Sequence, residues 1–117
     1  MGTFKARIGV SDGNGGPTHW VDALVDTGAT YTVLPGSLCN QLGIQARKRL
    51  EFTFADGRRK TLPVGDAYLT VAGADGPNPV VFGEEGQYLL GATALQVLGL
   101  IPDTTHHKLI PAPSLPL

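Results

Sequence analysis

Residues 23–35 read ALVDTGATYTVLP. They place one ionisable group, Asp26, between the apolar run Ala23-Leu24-Val25 and a Thr-rich stretch that ends in Val33-Leu34. The plain reading of Asp-Thr-Gly is a turn, because Asp caps its own backbone and Gly tolerates tight geometry. A solvated turn has no need of apolar residues on both sides, however. Such a frame withdraws water from a carboxylate, and desolvation favours the protonated form. A carboxyl group in that setting is a candidate general acid or base. Gly28 lets the backbone fold tightly beneath it. Thr27 brings a hydroxyl that both donates and accepts, and so can pin the loop.

Hydrolysis of an unactivated amide without a metal or a covalent nucleophile needs an acid and a base together. Two carboxyl groups in contact supply both by sharing one proton, since like charges about 3 Å apart do not both ionise. The other acids are Asp12, Asp22, Glu51, Asp56, Asp66, Asp75, Glu84, Glu85 and Asp103. None has the apolar-Asp-Thr-Gly frame, and most flank Gly or Pro as surface turns do. The second carboxyl is therefore expected from a second copy of the chain, because a residue near a two-fold axis meets its own counterpart.

The elements that must position Asp26 read as short strands. Gly (16) and Pro (9) fall in clusters that punctuate the 117 residues about every ten positions, the spacing of an all-β sandwich or barrel. Phe4, Ala6, Ile8 and Val10 alternate with polar or small residues as one strand, SDGNGGPT (11–18) is a turn, and His19–Val25 returns as a hairpin arm. Tyr31–Leu34 is a further strand, and Leu38 and Leu42 sit on a short helical turn ended by Gly43. Leu50, Phe52 and Phe54 alternate as a strand, Asp56-Gly57 signals a hairpin tip, and Arg58–Val64 returns. Ala67–Val71 reads as another strand, 72–79 as a loop, and Val80–Phe82 as the next. YLLGATALQVLGL (88–100) carries a helical pattern at Leu95, Val97 and Leu98 with Gly99 as its stop, and the Pro-rich tail is extended.

Two motifs together carry a resemblance. LVDTGATYTVLP resembles the active-site motif of the retropepsin-like aspartic proteases, and YLLGATALQVLGL resembles their second signature, an apolar pair plus Gly followed by a short helix. The likeness covers about Phe4 to Ile110 and is nearest to the single-domain bacterial or cellular type. It implies an all-β fold, a closed β-barrel with one short C-terminal helix, as a single domain over 1–117 (core 4–110, tail 111–117). It implies a homodimeric endopeptidase with Asp26 as the catalytic residue from each subunit. Thr27, Gly28 and Ala29 support the active-site loop, Leu90 and Gly91 form the second motif, and a flap with Ala55, Asp56 and Gly57 at its tip covers an extended peptide or protein substrate. Pocket walls are expected from Leu24, Val33, Phe54, Val81 and Leu90. The sequence departs from viral members at the flap tip, which is not Gly-rich, and at Ala92, where those carry Arg; Ala29 replaces the Ser of pepsin-like motifs. The alternative is a non-catalytic dimerisation or peptide-binding module on the same fold.

Other features bound the function. Net charge is −1, and the clusters Arg47-Lys48-Arg49 and Arg58-Arg59-Lys60 are short, so no nucleic-acid partner is expected. Cys39, the sole cysteine, reads as a packed residue and excludes an internal disulfide. No apolar run approaches the roughly 20 residues that span a bilayer. No membrane partner is expected, and the cytoplasm is the expected compartment. Adjacent His106 and His107 point to opposite faces of a strand and do not form a metal site. Neither a metal nor a cofactor is expected. Trp20 is expected in the core or at an interface.

Overall fold

The computed structural model describes residues 3–115 and 117. Pro116 of the expected tail and the first two residues lie outside them. Strands take up 52% of the chain and helices 11%. The strands are β1 (Lys5–Ser11), β2 (His19–Val25), β3 (Thr32–Pro35), β4 (Ala46–Thr53), β5 (Arg59–Val71), β6 (Ala74–Gly83), β7 (Leu89–Leu90), β8 (Leu100–Asp103) and β9 (Lys108–Pro111). The helices are α1 (Gly36–Gln41) and α2 (Ala92–Leu98). The expected helical turn at 36–43 is thus a helix in its own right, and the fold has two helices rather than a single C-terminal one.

Seven strands pair in the order β1-β2-β7-β3-β6-β5-β4, and β1 also pairs with β5, which joins all of them but β4 into a ring. β8 and β9 form a separate two-stranded sheet. Alternation places Ile8, Val10, Leu69, Val71, Val80 and Leu90 in the core. The hairpin between β1 and β2 is set by its turn. Asp12 Oδ1 accepts the amides of Asn14 and Gly16, at 2.8 and 3.2 Å.

Two readings are corrected, and the first half of a third, the core or interface expected for Trp20, is ruled out. Residues 58–64 and 67–71 are not separate strands but one thirteen-residue strand, β5. Gly65 marks the point where a side chain has no room, because the backbone of Gln45 closes over it. Residues 72–79 are not a loop. The turn is Ala72-Gly73 alone, with φ of 48° and 83°, a primed two-residue hairpin. β6 then runs straight through Pro77 and Pro79, which pair with Tyr68 and Asp66 of β5. Its other neighbour, β3, pairs only with Thr32–Pro35 against Val80–Gly83, so the prolines sit on a stretch that is an edge on that side. Trp20, finally, is not in the core. It is 47% exposed and lies against Gly9, where an added Cβ would stand 3.0 Å from the indole.

Around α2 the reading holds. Gly91 precedes it in extended backbone, and Gly99 ends it in the left-handed conformation at φ 69°. Ala94 and Leu95 are buried, whereas Val97 faces outward. No helix among the described residues is long and apolar enough to cross a membrane.

Candidate active site

Asp26 follows directly on β2, and the site is built by what happens beside that strand. β7 runs parallel to β2, with Leu24 opposite Leu89 and Val25 opposite Leu90, and antiparallel to β3 at Val33. The short strand β7 therefore lies between the two arms that the Asp26 loop connects. The loop must pass over the end of β7, where the chain turns through Gly91 into α2.

Backbone bonds stitch the loop to that corner. The Asp26 amide donates to the Leu90 carbonyl at 3.0 Å. The amides of Ala92 and Thr93, which open α2, donate to the carbonyls of Ala29 and Thr30 at 2.8 and 3.0 Å. The Gly91 amide donates to Thr32 Oγ1 at 3.1 Å, in a buried bond. Gly91 is glycine because the loop crosses directly above it. A Cβ there would lie 2.5 Å from both the carbonyl carbon and oxygen of Tyr31, closer than any real contact. Ala92 thus holds the loop through its backbone amide.

Within the loop, Asp26 Oδ1 accepts the Gly28 amide at 3.0 Å, and the Asp26 carbonyl accepts the Ala29 amide at 3.1 Å. A Cβ on Gly28 would stand 3.2 Å from that carboxylate oxygen. Asp26 is half-buried, Ala29 is half-buried, and Thr27 and Gly28 are exposed. One carboxylate oxygen is thereby fixed by its own loop, and a loop held at both ends presents it.

A cleft of about 400 Å³ opens next to this loop. Gly28, Ala29 and Tyr31 form its loop side, and Val33 and Val81 lie among its lining residues. The β4–β5 hairpin forms another wall. Cross-strand partners share a face of such a hairpin, and Phe52 stands opposite Lys60 while Leu50 stands opposite Leu62. Phe54 and Arg58 close the last rung, with the Phe54 amide donating to the Arg58 carbonyl at 2.8 Å. Tyr31 meets Phe52 edge to face, with ring centroids 6.2 Å apart, and so links the Asp26 loop to the hairpin. Arg58 Nε pairs with Asp56 Oδ2 at 2.6 Å, and its guanidinium lies 5.3 Å from the Phe54 ring centroid. Lys60 Nζ stands 3.8 Å from Glu84 Oε1 across the rim.

Of the expected pocket residues, Val33, Phe54 and Val81 line the cleft. Leu90 does not, being wholly buried in the core, and Leu24 pairs beside Leu89 away from the lining. The tip residues Ala55, Asp56 and Gly57 are exposed beyond the lined wall. Four residues were not foreseen. Thr32 reads in sequence as an ordinary β-branched strand residue. Tyr31, Lys60 and Glu84 gain meaning only when distant segments meet.

Cys39 is on α1, buried, and burial pushes its thiol up to about 11. It is a packed residue and not a thiolate nucleophile. His106 and His107 lie in the turn between β8 and β9 and not on a strand as expected. His106 Nδ1 lies 2.8 Å from Asp103 Oδ2, and that hydrogen bond holds the Asp103 carboxyl below its usual range.

The model of gag-polyprotein putative aspartyl proteases matches residues 14–97, well over half of the chain, including the first motif, most of the second and the residues that line the cleft. The chain belongs to this aspartyl protease family. The family is retropepsin-like and one of peptide hydrolases. No curated protein matches the chain.

Proposed function

We propose that this chain is a homodimeric aspartic endopeptidase in which Asp26 of each protomer contributes one carboxyl group to a shared site. The ring of strands is read as the closed barrel of the retropepsin-like fold. The observation that carries the proposal is the fixed presentation of Asp26. Its loop is bound at Leu90, Gly91, Ala92 and Thr93, beside a cleft with apolar and aromatic walls. A peptide in extended form fits such a cleft as an added strand, with alternate side chains in pockets.

In the reaction, the two carboxyl groups hold one proton between them. The ionised one takes a proton from a water molecule as that water attacks the scissile carbonyl carbon. The protonated one gives its proton to the carbonyl oxygen, which yields a neutral tetrahedral diol. Collapse of the diol breaks the C–N bond. One carboxyl delivers a proton to the departing amine nitrogen, and the other regains one from the diol, so the pair returns to its starting state. In this reading Thr27, exposed beside Asp26, bonds the partner's loop, and the β4–β5 hairpin is the flap.

The test is cleavage of a peptide library by the wild-type chain and by Asp26→Asn. The variant loses at least about three orders of magnitude in rate, as removal of a paired acid–base group does. Pepstatin-like transition-state mimics inhibit the wild type. Cleavage by Asp26→Asn at the parent rate overturns the proposal. Tight peptide binding by the wild type with no cleavage over days favours a binding module instead.

A further inference from the structure

The inner face of the flap hairpin repeats one arrangement twice. Phe52 of β4 faces Lys60 of β5, and just past the ends of the two strands Phe54 likewise stands opposite Arg58. All four line the cleft. The opposite face of the hairpin is different in kind, with Glu51 and Arg59 forming their own pair at 3.8 Å.

The two inner cations are not equivalent. Arg58 is held by Asp56 at 2.6 Å and lies against the Phe54 ring, so its charge is engaged within the hairpin. Lys60 reaches across the rim to Glu84, and the contact is long, at 3.8 Å, with both side chains at least half exposed. An ion pair of that kind contributes about 1 kcal/mol or less. A peptide that enters the cleft passes between Lys60 and its neighbours, and can replace Glu84 as the partner of Lys60 at little cost.

On the peptidase reading above, we infer that Lys60 is a specificity-determining residue. It selects extended peptides that carry an acidic side chain two positions from a bulky apolar one, and Glu84 holds the place of that acid in the empty cleft. The spacing follows from the geometry. Side chains two apart lie on one face of an extended strand, about 7 Å from each other. Phe52 and Lys60 sit side by side on the wall that such a face meets. The apolar side chain packs among Phe52, Tyr31 and Val81, and the carboxylate meets the Lys60 ammonium.

The test uses Asp26→Asn, so that binding is read without cleavage. Fluorescently labelled peptides carry one Phe with Glu, Gln or Lys two positions to either side, and binding is followed by anisotropy. The Glu peptide binds about five-fold more tightly than the Gln peptide, the upper range for an exposed ion pair, and the Lys peptide binds most weakly. The difference disappears in Lys60→Ala, reverses in Lys60→Glu, and shrinks in high salt. Far-UV circular dichroism verifies that each variant is folded. Equal binding of Glu and Gln peptides, tighter binding of the Lys peptide, a preference that survives Lys60→Ala, or no binding of any peptide overturns the inference. Wild-type protein then separates the two claims. Cleavage without charge preference removes the role of Lys60 alone. Charge-selective binding without cleavage removes the peptidase reading and leaves the selectivity.

Discussion

Gly91→Ala probes the corner on which the Asp26 loop rests. The new methyl group would sit 2.5 Å from the carbonyl carbon and oxygen of Tyr31 and 2.9 Å from the carbonyl oxygen of Ala29. These are backbone atoms, so no rotamer change relieves the clash, and the loop must lift by close to 1 Å to reach ordinary contact. Lifting it strains the bonds from Ala92 and Thr93 to the carbonyls of Ala29 and Thr30. Overpacking of this kind costs about 1–3 kcal/mol, and weakening two backbone bonds adds about 0.5–1.5 kcal/mol each. Alanine fits the extended backbone at Gly91, with φ −93° and ψ 174°. Its smaller unfolded-state entropy therefore returns about 0.4–1 kcal/mol. The net loss is about 3 kcal/mol, or roughly 10 °C in melting temperature for a chain of this size. Thermal unfolding followed by far-UV circular dichroism, at one fixed protein concentration, measures it. Gly76→Ala is the control, since its Cβ meets nothing nearer than 3.7 Å, and it melts close to the parent. A Gly91→Ala protein that melts within about 2 °C of wild type would refute the claim that the loop is seated directly on this residue.

The same corner predicts that Thr32→Val, which keeps the side-chain shape but deprives the buried Gly91 amide of its acceptor, costs about 1–3 kcal/mol in denaturant unfolding. Cys39 resists thiol reagents in the folded protein and reacts once denaturant is added, because its thiol is buried and pushed up to about 11. The sign of its pH dependence follows from the same shift. The unfolded thiol loses its proton at lower pH than the folded one, so wild-type stability falls relative to Cys39→Ala as pH rises above the unfolded value, and the difference levels off past about 11. Phe52→Ala removes the edge-to-face contact with Tyr31, and it raises KM for peptides more than it lowers stability, as read by parallel kinetics and melting curves.

Local chemistry was legible where the chain states it locally. The apolar frame around Asp26 reads directly, as do Leu90-Gly91 before α2 and the turns at 12–16 and 56–57, because each is fixed by neighbours in sequence. Pro77 and Pro79 hid half of β6, since proline forbids a central strand but not a strand with one free side, and the free side is set by where β3 begins. The strands read at 58–64 and 67–71 are one, and Gly65 between them serves the close approach of Gln45. The ties from Ala92 and Thr93 to the Asp26 loop join segments more than 60 residues apart. No spacing rule reaches that far. Tyr31, Lys60 and Glu84 were missed for the same reason, and Leu24 and Leu90 were misplaced because an apolar residue near a site reads equally as wall or core.

The central claim is that two chains, each bringing one Asp26, make one active site. Mixing wild type with Asp26→Asn, after subunits are allowed to exchange, tests it most directly. Mixed dimers lack one of the two carboxyl groups, so activity at fixed total protein follows the square of the wild-type fraction and falls to about one quarter in an equal mixture. Activity that instead falls in direct proportion, to about one half, would mean that each chain works alone, and would contradict the account.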